Sequence, residues 1–211
     1  MIALRRSCTS VIRRKKGFSM ASEGDDILGE HVNDPMELAF VLASEALKAG
    51  EVPVGCVFVY QDMAIACGRN EVNALKSAVK HAEIVAIRNL ERWCAVNNVE
   101  LGRILSECDV YVTVEPCIMC TAALRFVLPA QPRRIVFGAK NERFGGCGSV
   151  ADIDCRPVGS VSSLSWTSGV QEARAISMLK QFYAQENFNA PEDVRKSKSS
   201  VNAKTDHQGL E

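Results

Sequence analysis

Apolar and polar positions along this chain follow two rhythms, one of about 3.6 residues and one of 2, and the switches between them mark out the elements. Met36, Ala39, Phe40, Ala43, Ala46 and Leu47 recur at helical spacing and predict an amphipathic helix. Asn33 or Asp34 suits its N-cap, Pro35 its first turn, Glu37 a capping box and Gly50 its end. Val54 to Tyr60 and Ala64 to Gly68 read as two strands around a tight Gln61-Asp62 turn. A helix is expected from His81 to about Leu90, then a strand from Val110 to Val114 that leads into a helix at Cys117. Arg134 to Gly138 predicts a further strand, a glycine-rich loop follows, and Val170 to Gln185 predicts a long closing helix. Strands alternating with helices imply an α/β sandwich whose sheet carries helices on both faces.

Composition narrows the class. A chain of 211 residues, 47% hydrophobic, suits one domain with a sizeable core and flexible ends. The expected division is a basic extension over 1–32, a folded domain over 33–189 and a tail over 190–211 that leans basic. Formal net charge is zero, so no global field recruits nucleic acid, and any RNA contact must come from local patches. The nine cysteines come with no secretory signal and no apolar run that could cross a bilayer, which points to a reducing interior, with disulfides not expected. Arg5, Arg6, Arg13, Arg14, Lys15 and Lys16, interleaved with serines and apolar residues, partly resemble a mitochondrial presequence, while Met20 offers a second start. A cytoplasmic or nuclear location is the leading expectation, and mitochondrial targeting by residues 1–20 the alternative.

The candidate chemistry sits in two short pieces, His81-Ala82-Glu83 and Pro116-Cys117-Ile118-Met119-Cys120. One imidazole and two thiolates fill three corners of a zinc tetrahedron and leave the fourth for water. Zinc lowers the pKa of that water from about 15.7 toward about 7, and Glu83, left free, can carry protons. At about 100° per residue, His81 and Glu83 would diverge within a helix, so a shared target requires them at its first turn. Pro116 suits the opening of the second helix, where Cys117 and Cys120 share a face and the unpaired N–H groups favour thiolate. A closed structural zinc site would need a fourth ligand from Cys94, Cys147, His31 or His207, none of which stands at a second short ligand spacing. A redox pair or two core cysteines are the other readings of a lone CxxC. The combination of H-x-E with P-C-x-x-C is the signature of zinc deaminases.

Glu51-Val52-Pro53-Val54-Gly55, Gly68-Arg69-Asn70, His81-Ala82-Glu83, Glu115-Pro116-Cys117-Ile118-Met119-Cys120 and Asn141 to Ser149 stand in an order and at spacings that resemble the tRNA-specific adenosine deaminases. Within them, the chain is most similar to the catalytic subunits of the eukaryotic enzymes that make inosine at the anticodon wobble position. The resemblance covers about residues 34 to 189. It implies a three-layer α/β/α cytidine deaminase-like fold with a central mixed sheet of about five strands. It further implies a hydrolase acting on a cyclic amidine C–N bond, with His81, Cys117 and Cys120 on Zn2+ and Glu83 as proton shuttle. By the same resemblance Asn70, the Ala82 backbone N–H and Val54 would meet the base or its sugar, and Lys140, Arg143 and Phe144 would meet RNA. The implied partners are tRNA and a related, catalytically deficient subunit in a heterodimer.

Bland readings stand beside these. Asn70 also suits a turn that closes a strand, Val54 ordinary core, and Lys140 to Gly148 a surface loop whose glycines supply unusual backbone angles. A deaminase of free bases, nucleosides or nucleotides shares the zinc signature, and a silent zinc- and RNA-binding scaffold is the non-enzymatic rival. Glu83 argues against the scaffold, because losing the proton carrier is the simplest way to silence such a site.

Overall fold

The computed structural model describes residues 32–153 and 163–185. The expectations for the basic extension, for His31 and His207 and for the tail lie outside these residues. Helix α1 spans Pro35–Lys48, β1 Gly55–Tyr60, β2 Met63–Arg69, α2 Ala82–Val96 and α3 Leu101–Glu107. Strand β3 (Asp109–Val114) leads into α4 (Ile118–Ala122) and a π-helical turn over Ala123–Val127, followed by β4 (Arg134–Ala139), β5 (Trp166–Thr167) and α5 (Glu172–Tyr183).

The five strands form one sheet in the order β2-β1-β3-β4-β5. Its β1 pairs antiparallel with β2 and β3, while β3–β4 and β4–β5 are parallel, so the sheet is mixed as expected. One face packs Ala82, Ala86, Ile87, Leu90 and Cys94 of α2 and Ile104 and Leu105 of α3 against Phe58, Val110 and Ile135. The other packs Met36, Ala39 and Phe40 of α1 and Ala175 of α5 against Val57, Val59 and Val136. Alternate residues of one strand thereby serve two cores, as the period-2 pattern requires, and the layers are α/β/α.

Asp34 is the N-cap of α1 and accepts the Glu37 N–H at 3.0 Å. Glu37 does not complete a capping box; its carboxylate pairs with Arg174 of α5 instead. At the other end Gly50 has φ +72°, its N–H reaches Leu47 O and the Glu51 N–H reaches Ala46 O, which is a Schellman cap. The Gln61-Asp62 turn has both residues left-handed, φ +48° and +61°, the hairpin geometry that follows strand twist. Helix α2 runs six residues beyond the expected Leu90, because nothing breaks it before Asn98, which takes φ +53°.

The pattern does not disclose α3, β5 or the π-helical turn. Seven residues with Gly102 inside and the unusual cap Glu100 make α3 faint, and β5 has only two residues. Cys56, Cys94, Cys108, Cys117, Cys120 and Cys147 are free thiols, whereas Cys67 is disulfide-bonded. That corrects the expectation of no disulfide, which rested on compartment and not on any one cysteine's neighbours. Among the described residues no helix is long and apolar enough to cross a membrane.

Candidate zinc centre

One edge of the sheet gathers the candidate residues. Antiparallel pairing brings the start of β1 beside the end of β2 (Gly55 opposite Arg69), and the Gly55 N–H reaches Thr113 Oγ1 near the end of β3. Val114 of β3 stands opposite Ala139 of β4, and the Glu115 N–H extends the pairing to Ala139 O at 2.8 Å. Val54, at the amino end of β1, therefore lies beside Asn70, Glu115 to Cys117 and Lys140 at the carboxyl ends of β2, β3 and β4, the ends where open α/β sheets place their ligands.

His81 and Cys117 are the N-cap residues of α2 and α4, both with extended backbone, and neither side chain caps its own helix. Their side chains are thereby released toward a common point. Pro116 stands just before the N-cap, two residues ahead of α4, instead of at its opening position, and Cys117 and Cys120 occupy the N-cap and third helical positions. His81 Nδ1 lies 3.5 Å from Cys117 Sγ and 3.6 Å from Cys120 Sγ. Metal bonds of about 2.0 to 2.3 Å at tetrahedral angles give ligand separations of about 3.6 Å, so His81 stands at that length from each cysteine, and all three donors lie within 4.8 Å of one another. Among the described residues neither Cys94 nor Cys147 joins this cluster.

Glu83, in the first turn of α2, is 4% exposed and outside the donor cluster. Burial above all pushes its carboxyl up to about 7, with the Cys117 sulfur adding to the rise, a value suited to taking and returning protons near neutrality. Cys117 is held down to about 4, first by the hydrogen bond from the Cys120 thiol, with His81 adding to it. Cys120 is pushed up because it supplies that hydrogen bond. The Cys117 thiolate is thus available as a ligand at neutral pH, and its place at a helix start favours the same state.

Ala82 is fully buried at the first position of α2, where the N–H has no partner inside the helix. Its approach to the sheet depends on Gly68 of β2, since a Cβ there would lie 2.5 Å from both Ala82 O and Ala86 N. Asn70 is 5% exposed, its N–H reaches Val54 O at 3.1 Å and its carboxamide reaches Glu51 at 3.4 Å. Val54 is half-buried and touches both cores. Glu51, fully buried, also accepts the Ala74 N–H at 2.8 Å and so holds the segment between β2 and His81. In the sequence Glu51 stands only as the head of the run Glu51-Val52-Pro53-Val54-Gly55, and a lone carboxylate before an otherwise apolar stretch is its one signal.

Lys140, Arg143 and Phe144 are exposed, Phe144 by 62%, on a loop that crosses the start of α4. The Ile118 N–H donates to Phe144 O at 2.8 Å and the Gly146 N–H to Pro116 O at 2.9 Å. Of the loop's glycines only Gly148 has a positive φ, +110°. Gly145 and Gly146 are needed for space, because a Cβ would lie 2.5 Å from Glu115 Oε1 and from Thr121 Oγ1 respectively. Two concavities, ≈ 420 Å³ between α1 and α5 and ≈ 510 Å³ beside Asp109 and Arg133, lie away from the cluster.

A family model described as the cytidine and deoxycytidylate deaminase zinc-binding region matches residues 30–139. A tRNA-specific adenosine deaminase 2 of Xenopus laevis is 45% identical over 170 residues, spanning 79% of this chain and 95% of the relative. A tRNA-specific adenosine deaminase of Agrobacterium fabrum is 34% identical over 154 residues, spanning 73% and 95%. The chain belongs to the tRNA-specific adenosine deaminases. A structure solved in work on A-to-I editing by tRNA:A34 deaminases shares 35% identity and a TM-score of 0.59, covering 68% of this chain and 97% of that one. A guanine deaminase of Nitrosomonas europaea, 21% identical with a TM-score of 0.55 over 74% of this chain and 88% of its own, shows the same fold. The matched family model is a zinc-binding region, and His81, Cys117 and Cys120 form a donor set that could hold such a metal.

Proposed function

We propose that this chain hydrolyses adenosine to inosine at the wobble position of the tRNA anticodon, as the catalytic subunit of a heterodimer with a related subunit that lacks the glutamate. The observation that carries the reading is Glu83, buried beside three metal donors without being one of them. The named relatives and the tRNA:A34 deaminase structure support the substrate.

Zinc held by His81, Cys117 and Cys120 supplies the Lewis acidity that makes water a nucleophile at neutral pH. Glu83 takes a proton from the attacking water and delivers it to the ring nitrogen, then takes the second proton from the new hydroxyl and passes it to the departing amine, so that adenosine and water give inosine and ammonia. The Ala82 N–H sits beside the attacked position. Asn70, its carboxamide held by Glu51, orients the base or its sugar, and Val54 lines the pocket. Lys140 and Arg143 meet phosphates and Phe144 stacks on an anticodon base, as single-stranded RNA is commonly gripped. On this reading the protein works in the cytoplasm or nucleus.

A target base must be unstacked to reach such a site, which costs least in an anticodon loop. The partner is argued from charge and size, since a chain of zero net charge has little field to hold a whole tRNA. The test is deamination, read as inosine in tRNA and as ammonia released from free adenosine, guanine and deoxycytidylate, by the purified chain alone and with its partner, with sizing of each sample. The expected result is editing of tRNA by the heterodimer and poor turnover of every free substrate. Full editing by a monomer or homodimer would remove the partner; efficient turnover of a free base or nucleotide would replace the substrate.

A further inference from the structure

We propose that Glu115 is a positioning residue for tRNA: its buried carboxylate sets the path of the Asn141 to Ser149 loop over the cysteine helix, and so places Arg143 and Phe144 at the mouth of the site. The proposal rests on the reading of Arg143 and Phe144 as RNA contacts.

Glu115 is 2% exposed, between the last residue of β3 and Pro116. Its Oε2 accepts the Asn141 N–H at 2.9 Å, and its Oε1 accepts the N–H groups of Cys147 at 3.0 Å and Ser149 at 3.2 Å. These three donors belong to both ends of one loop, so a single carboxylate closes it. Nothing in a strand or helix would otherwise satisfy those N–H groups, and a buried carboxylate that gathers backbone donors is a strong anchor. The fit is close on the loop side too, because the space a Gly145 side chain would need is taken by Glu115 Oε1 and by Asn141 O.

The closed loop then does two things. Phe144 O accepts the Ile118 N–H at the first position of α4, a donor that the helix itself cannot satisfy. The Asn141 side chain accepts the Phe144 N–H at 3.1 Å, which leaves the Phe144 ring 62% exposed beside that helix. Glu115 reaches neither the donor cluster nor Glu83 through any hydrogen bond among the described residues. Its influence runs through the loop, and the kinetic signature belongs in substrate binding.

The experiment compares wild type with Glu115→Gln in the full chain, assembled with its partner subunit. An amide in place of the carboxylate sets an NH2 group against at least one of the three backbone N–H groups. Losing such a charge-assisted anchor and shifting the loop should raise KM for tRNA about tenfold, with kcat changed less than about threefold. Zinc content should stay at the wild-type value, and the amides of 141–149 should exchange with deuterium faster than the rest of the chain. Phe144→Ala should weaken tRNA binding less in the Glu115→Gln background than in wild type, since the ring would already be misplaced. Gly145→Ala disturbs the same contact from the loop side; it should give the same signature and replaces Glu115→Gln if that variant does not fold. Unchanged KM and exchange, or loss of zinc in step with activity, would overturn the proposal. Wild-type protein that does not edit tRNA at all would instead reject the substrate reading, while the exchange and zinc measurements would still judge the clasp.

Discussion

Gly68 shows how one missing Cβ decides whether this site exists. The first turn of α2 carries His81, Ala82 and Glu83, and it lies so close to β2 that a methyl group at position 68 would meet backbone atoms at 2.5 Å on two sides. Backbone cannot swing aside as a flexible side chain can, so Gly68→Ala should push α2 outward or unfold its first turn. The expected cost is about 2 to 3 kcal/mol in denaturant unfolding, with zinc affinity reduced at least about tenfold, because His81 moves relative to the cysteines. Isothermal titration of the zinc-free protein measures the second effect; wild-type affinity would show that α2 reaches the donors without this close approach. At the scale of residues, the members of the candidate donor cluster were legible in the sequence, because metal chemistry restricts residue type. The buried carboxylates Glu51 and Glu115 were not legible as anchors, because their partners are backbone N–H groups that sequence does not distinguish.

Among the elements, the parallel β3–β4 pair matters most, since β3 delivers the cysteine helix and β4 the loop that crosses it. Asp109 fastens its far end: its carboxylate accepts from Arg133 at 2.7 Å through both Nε and Nη2, and from Arg134 Nε at 3.0 Å. Burial pushes this carboxyl up, but the two guanidinium groups outweigh it and hold it below 3.8. A folded pKa below the unfolded one means stabilisation that is present above the unfolded pKa and lost as pH falls through the folded one. Asp109→Asn should therefore destabilise the protein by about 1 to 2 kcal/mol at pH 7, a value kept small by the exposure of both arginines. The difference from wild type should shrink as pH falls below 3.8. Urea unfolding of both proteins across that range tests it, and a gap that persists at low pH would contradict the ion-pair account. The long periodic elements were legible, as were both helix starts that bear ligands. Helix α3 and β5 were too short for their periodicity to register, and α2 was read as too short because a helix with a polar outer face looks finished before it ends.

Taken as a whole molecule, the fold converts separations in sequence into a site. His81 and Cys117 are 36 residues apart, yet Nδ1 and Sγ lie 3.5 Å apart because β2 and β3 end at the same edge of the sheet. The account's central claim is that the metal centre and a separate proton carrier act together on a tRNA base. Glu83→Gln tests it most directly, because the change removes the proton carrier and leaves every metal donor in place. Zinc content and inosine at the tRNA wobble position would be measured on wild type and variant, each with the partner subunit. One group serving several proton transfers predicts unchanged zinc with a rate loss of about 10³ to 10⁴; substantial turnover by a zinc-loaded Glu83→Gln protein would contradict the account.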